Sequence, residues 1–343
     1  MLPVVRALER ASPGTRFTWI IGRAEAALLG LVPGIEFLPF DKRGGIRSYL
    51  QLRRQLRGRR FDVLLHMQHA LRASAVSLCV RAGTRLGFDR ARARELQWLF
   101  TTHSIARHRN QHVMDGLFGF ATALGVTDLR PRWDIPLPDD ARDHARALVP
   151  DEQPTLVISP CSSRPLRNWH AAGYAAVADH AAGALGMRVV LAGGPGEAER
   201  AMGAAIEGLA RRPLVNVIGR DTLPKLLALL ARAQVLLTPD SGPAHMATAV
   251  GTPVLGLYAA TNPARSGPYF SRDLCVDRYA DAARSFLGRD AATLPWTTRI
   301  ERPGVMDLIR IDDVIMKLEA LARAGFGRRD GPSAAQTPDG GRP

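Results

Sequence analysis

Short apolar runs alternate with stretches of helical spacing along the first half of the chain. Residues 17–21, 36–40 and 61–66 are rich in β-branched and aromatic side chains and bounded by Gly, Pro or Asp, which predicts strands. Around them, residues 24–31, 47–57 and 70–80 carry apolar side chains at helical spacing. A longer amphipathic helix is expected over 111–124, ahead of a Pro-studded stretch, 131–154, that makes the best domain boundary. The rhythm then restarts, with strands predicted at 155–159, 187–192, 214–218, 235–238 and 253–258 and helices at 169–182, 196–210, 223–233 and 243–250. Ile311, Val314, Ile315, Leu318 and Leu321 give a last helix, stopped by Gly325. Alternation of this kind builds βαβ units on parallel sheets. The expected fold class is therefore α/β, with two Rossmann-like, doubly wound domains facing a cleft.

Composition narrows the class. A chain of 343 residues is long enough for two domains, and 46% apolar with 23% charged residues is the make-up of a globular protein. No run approaches the ~18 apolar residues of a transmembrane helix. The opening Met1-Leu-Pro-Val-Val has neither a basic flank nor a secretory apolar core. Cys79, Cys161 and Cys275 are too few and too scattered for a disulfide framework or a cysteine-based zinc site. No clustered carboxylate pair suits magnesium, so neither metal nor cofactor is expected. These features predict a cytoplasmic protein. The net charge of +14 comes from 46 Lys+Arg against 32 Asp+Glu, but only Lys42, Lys225 and Lys317 are lysines, a skew that owes something to codon composition. A nucleic-acid partner would fit the charge. Against it, no RNA-recognition, KH or zinc-finger signature appears and aromatics are only 6%.

Three loops carry candidate chemistry. In Asp240-Ser-Gly-Pro-Ala-His245 a predicted strand gives way to a helix, at the carboxyl end of the strand where open α/β sheets bind ligands. Free amides at that helix start suit an anion such as phosphate, Gly242 admits close approach, and His245 lies one turn further in. For any one of these residues a plain N-cap or a satisfied histidine is the favoured reading; the whole unit favours the anion site. After strand 155–159, Ser162, Ser163 and Arg167 offer hydroxyls and a fixed positive charge, equally readable as a solvated loop. Gly193-Gly-Pro-Gly-Glu197 is Gly-rich but lacks a Walker lysine, and Glu197 fits either a ribose acceptor or a first-turn carboxylate.

Arg167-Asn-Trp, Gly193-Gly-Pro-Gly-Glu197 and Asp240-Ser-Gly-Pro-Ala-His245, in this order and spacing, resemble the donor domain of the ADP-heptose:lipopolysaccharide heptosyltransferases, a glycosyltransferase family of the GT-B fold. Gln68-His-Ala-Leu-Arg-Ala-Ser-Ala75, the segment 86–95 and Gln111-His-Val-Met-Asp115 are similar to segments of its acceptor domain, so the resemblance spans residues 1 to 325. It implies an acceptor-binding domain over 1–140, a nucleotide-sugar donor domain over 151–310, a C-terminal helix over 311–325 and, on composition, a disordered tail over 326–343.

The resemblance implies roles as well. Asp240, Ser241, Gly242 and His245 would hold the donor pyrophosphate, with Ser162 and Ser163 nearby. Arg167, where the family often has lysine, would stabilise the leaving group; Glu197 would take the ribose, and Asp221 and Thr222 would lie near the base. On the acceptor side, Lys42, Arg43, Gln68, Arg72 and Arg94 would meet a lipid A–Kdo core, with peripheral contact to an anionic membrane surface and no nucleic acid. The basic stretch from Lys42 to Arg60 reads either as part of that docking or as a solvated face. The reaction would be inverting transfer of heptose from ADP-heptose to the inner core of lipopolysaccharide. The family opens with a strand and a Gly-Asp loop holding the presumed general base, whereas here Met1-Leu-Pro-Val-Val-Arg-Ala-Leu8 matches the helix that follows. The first strand and the base are therefore expected upstream of Met1. Two alternatives stay open: transfer from another nucleotide sugar, or nucleotide-sugar binding without turnover.

Overall fold

The computed structural model describes residues 1–326. The tail expected over 326–343 lies outside the described residues except for Phe326. The chain forms two compact units, Met1–Leu137 and the part from Pro138 onward.

Unit 1 runs α1 (Leu2–Ala11), β1 (Phe17–Gly22), α2 (Arg23–Leu29), β2 (Ile35–Phe40), α3 (Gly45–Gln55), β3 (Phe61–Leu65), α4 (Leu71–Ser77), β4 (Ala82–Gly87), β5 (His103–Ser104) and α5 (Val113–Thr122). All its strand pairs are parallel, as the alternation predicts, but among the described residues they make two sheets: β1 pairs with β2, and β3–β4–β5 form the other. One apolar layer joins Val4, Ala7 and Leu8 of α1 to Phe118, Phe120 and Ala121 of α5. On a second, Leu52 and Leu56 at α3 meet Phe40 and Val80, with Ile20 and Leu38 of one sheet and Phe61 and Leu64 of the other packed alongside, so α3 straddles both sheets.

Unit 2 begins earlier than the sequence pattern implies. Helix α6 (Asp139–Leu148) occupies the stretch read as a boundary and packs on α9 (Leu223–Arg232). Its buried face is Ala141 and Ala145, too small to give an apolar period. The rest comprises β6 (Thr155–Ile158), α7 (Ala171–Gly183), β7 (Arg188–Leu191), α8 (Glu197–Leu209), β8 (Val215–Asn216), β9 (Val235–Pro239), α10 (Gly242–Ala249), β10 (Val254–Tyr258), α11 (Pro263–Ser266), β11 (Val276–Asp277), α12 (Tyr279–Leu287) and α13 (Ile311–Arg323).

Its six strands are parallel in the order β8-β7-β6-β9-β10-β11, a doubly wound sheet whose strand order reverses between β6 and β9. Strand period puts Leu156, Ile158, Leu237, Leu255 and Leu257 in one core layer and Val157, Leu236 and Val254 in the other. Among the described residues no helix is long and apolar enough to cross a membrane.

Candidate active site

The loops leaving β6 and β9 meet at that reversal, and both carry candidate residues from the sequence. After β9, Asp240 leads into Ser241, the extended N-cap residue of α10. The Ser241 hydroxyl caps no helix amide. It sits 2.8 Å from the Thr238 hydroxyl, which in turn donates to the Ser159 carbonyl across to β6. Because Pro243 occupies the first turn and lacks an N–H, the amides of Gly242, Ala244 and His245 remain at the positive end of the helix without a side-chain cap. Gly242 is exposed, with open space where a Cβ would stand.

Arg167 ends a short 3₁₀ turn, Pro165–Arg167, in the β6 loop. Its side chain is only 12% exposed and is held by two carboxylates. Nη1 donates to Asp240 Oδ2 at 2.9 Å, while Nε and Nη2 donate to Glu301 Oε1 at 2.9 and 2.7 Å. Of five guanidinium N–H groups, two remain for an incoming anion. Trp169 anchors the loop: it is buried, its indole N–H donates to the Ile309 carbonyl, and it stacks edge-on with Tyr174. Gly173 makes room for it, since a Cβ there would lie 2.5 Å from the indole. The Tyr174 hydroxyl donates to the Pro160 carbonyl at 3.1 Å. Ser162 takes part in the loop through its amide, which donates to Asn168, and its hydroxyl, which accepts from the Arg164 amide; Ser163 is exposed.

His245 is exposed on the first turn of α10. Desolvation by surrounding protein lowers its pKa, with the Asp240 charge pulling the other way. The Tyr258 hydroxyl, at the end of β10, is buried without a hydrogen-bond partner among the described residues, and burial together with the negative Asp240 raises its pKa.

The other donor-side candidates divide. In the Gly-rich loop after β7, the Gly194 amide donates to the Glu199 carboxylate, and a Cβ on Gly193 would meet that carboxylate at 2.7 Å. The glycines there make space for Glu199, while Glu197 stands exposed at the start of α8. Asp221 turns inward: its carboxylate is 3% exposed, lies 2.7 Å from His144 Nε2 of α6, and has a raised pKa from burial. Thr222 caps α9, accepting from the Lys225 amide at 3.5 Å. Among the described residues no group of three His, Cys, Asp or Glu side chains is placed to hold a metal ion.

In unit 1 the five acceptor-side candidates all follow the carboxyl ends of strands. Lys42 and Arg43 come after β2, with Lys42 paired to Glu25 at 3.0 Å; Gln68 and Arg72 come after β3; Arg94 follows β4. Gln97 holds this edge together and was not singled out from sequence. It is fully buried, and its amide N–H groups reach the His66 and Gln68 carbonyls and His66 Nδ1 within 2.7–2.8 Å. Glu199, Glu301 and Tyr258 were likewise missed, because each is a single residue outside any local motif.

The chain is similar to known proteins. The model of glycosyltransferase family 9 (heptosyltransferase) matches residues 49–293. The lipopolysaccharide core heptosyltransferase OpsX of Haemophilus influenzae is 37% identical over 320 residues, 93% of this chain and 92% of that protein. Among solved structures, a glycosyl transferase family 9 protein from Veillonella parvula has a TM-score of 0.78 at 22% identity, covering 94% of this chain and 93% of its own. E. coli ADP-heptose lps heptosyltransferase II follows with a TM-score of 0.69 at 18% identity, covering 94% of each. The doubly wound parallel α/β architecture is thus the GT-B fold of these structures, and the chain belongs to glycosyltransferase family 9, the heptosyltransferases.

Proposed function

We propose that the protein transfers heptose from ADP-heptose to the inner core of lipopolysaccharide, with inversion at the anomeric carbon. One observation carries the reading: the uncapped amides of α10 and the clamped Arg167 converge at the strand-order reversal of unit 2. A diphosphate is the ligand suited to that pairing of helix dipole and guanidinium. The acceptor hydroxyl attacks the anomeric carbon as the bond to the diphosphate oxygen breaks; ADP departs with the bonding pair and the hydroxyl proton is released to water. Negative charge grows on that oxygen, where fixed donors need no reorganisation. Asp240 serves here by aiming Arg167 rather than by touching phosphate. His245, on the first turn of α10, adds a hydrogen bond to the diphosphate. Glu197 is the ribose ligand, and the carboxyl edge of unit 1, with Lys42, Arg43, Gln68, Arg72 and Arg94, faces the phosphorylated sugar acceptor.

Turnover tests this directly. ADP release from ADP-heptose is expected only when a lipopolysaccharide-core acceptor is present. Arg167→Ala should lower kcat by about 10²–10³-fold, the size typical of losing one transition-state donor. Release from a different nucleotide sugar in preference to ADP-heptose, or an Arg167→Ala enzyme of normal kcat, would overturn the donor and the site respectively.

A further inference from the structure

We propose that His66 binds the sugar acceptor, its Nε2–H donating to an acceptor oxygen at the carboxyl edge of unit 1. The chain reaches this residue just as β3 ends. The His66 amide makes one more bond across to β4, to the Leu86 carbonyl at 2.8 Å, and the chain then leaves the sheet for Gln68 and α4. The imidazole itself is only 4% exposed, so its two nitrogens need partners from somewhere.

Gln97, the first residue of a 3₁₀ turn (Gln97–Phe100), fixes the tautomer. Its amide nitrogen lies within 2.7–2.8 Å of three acceptors, the His66 and Gln68 carbonyls and His66 Nδ1, while its oxygen accepts from the Phe88 amide at 3.3 Å. Exchanging that nitrogen and oxygen would press an oxygen against two carbonyls and turn the Phe88 amide onto a donor. An amide nitrogen only donates. Nδ1 therefore holds the lone pair, and the single ring proton sits on Nε2. Burial pushes the pKa of His66 down, which favours the same neutral ring.

Nε2 is buried with no hydrogen-bond partner among the described residues, an arrangement that costs free energy until a ligand completes it. The turn around it holds the ring without satisfying it. Glu95 and Leu96, immediately before Gln97, both take left-handed φ values, 50° and 59°, which only glycine adopts freely. The Glu95 carboxylate then ties this turn to the Leu71 amide at the start of α4. Strained backbone beside an unpaired buried donor is the pattern of a ligand clamp. The acceptor candidates Gln68, Arg72 and Arg94 come off the same strand ends and are all exposed. His66 adds a buried, directional donor to that set: a neutral N–H takes any saccharide oxygen, while the arginines supply charge.

The proposal rests on the reading of the acceptor as a lipopolysaccharide core, and imidazole nitrogen NMR of the isotope-labelled full chain tests it without turnover. The probe is a soluble, deacylated lipid A–Kdo saccharide. The His66 signal, identified by its loss in His66→Phe, should show the Nε2–H tautomer. Its Nε2 should shift when the saccharide is added and stay put with ADP alone, since the donor candidates lie in unit 2. In turnover, His66→Phe leaves Gln97 its two carbonyl partners and should raise the acceptor KM about tenfold, with kcat and the ADP-heptose KM kept. His66→Gln, which returns an N–H at similar reach, should recover most of that loss. A proton on Nδ1, an Nε2 indifferent to the saccharide, or a parent-like acceptor KM in His66→Phe would overturn the role of His66. Ser74 of α4 is also buried with its hydroxyl unpartnered among the described residues; an Nε2 signal moved by Ser74→Ala and not by the saccharide would give the proton to that hydroxyl and overturn the role as well. Parent turnover with the same saccharide separates the two failures. A parent that transfers heptose to it while Nε2 stays indifferent loses only the His66 role, whereas a parent that binds ADP but transfers nothing loses the functional reading and this role with it.

Discussion

Arg167 shows how far single residues can be read from sequence and where that reading stops. Its position in a strand-to-helix loop marks it as a phosphate candidate, but the sequence does not reveal Glu301, 134 residues away, whose one oxygen takes two of its N–H groups. The same limit applies to Asp221 and Glu199: their carboxylates are spent on His144 and on the Gly194 amide, partners fixed only by tertiary packing. The Asp240-to-His245 unit was legible because its chemistry is local, a helix start that needs no distant residue. Glu301 is accordingly a positioning residue for Arg167. Glu301→Ala should lower kcat/KM by about tenfold, equivalent to about 1.4 kcal/mol of transition-state stabilisation. Glu301→Gln, which keeps an acceptor oxygen, should recover most of that loss. An alanine variant with parent kinetics would mean that Asp240 alone aims the guanidinium.

Elements were legible in proportion to their apolar period. The long helices and buried strands of unit 2 announce themselves, whereas α6, with an Ala141/Ala145 face, and β4, broken by Gly83 and Gly87, carry little pattern. No residue pattern announced that the parallel strands of unit 1 would form two sheets. Where those sheets meet, Arg59, two residues ahead of β3, reaches back to β2 and β1. It donates to Glu36 at 2.5 and 2.9 Å and to the Thr18 hydroxyl at 2.9 Å. Arg59 holds the Glu36 carboxyl down to a pKa of about 2, with Thr18 assisting. A carboxylate with a folded pKa below its unfolded value near 4.5 contributes stability above that value and loses it as pH falls toward about 2. Solvent screens this exposed pair, so the effect stays under about 1 kcal/mol. Urea midpoints between pH 5 and 2.5 should therefore fall more steeply for the parent than for Glu36→Gln. Parallel curves would show that the tie contributes nothing to stability.

At the scale of the whole molecule, the two units differ in how completely they cover their strands. In unit 2 every residue of β6, β9 and β10 is buried, and each strand has ladder partners on both sides. In unit 1 only Ile21 of β1 and no residue of β3 is buried, and β1, β2 and β3 each pair on one side alone among the described residues. A backbone group without a ladder partner depends on solvent or local contacts, and segments with little buried apolar area open at low free energy. Native-state hydrogen exchange should therefore grade the chain: slowest at the amides of β6, β9 and β10, and distinctly faster at β1, β2 and β3. The donor candidates would then sit on the rigid frame that preorganised electrostatics requires, and the acceptor edge on the more adaptable one. Equal protection of β1 and β6 would remove that contrast, and with it the argument that rigidity is concentrated where the leaving group is held.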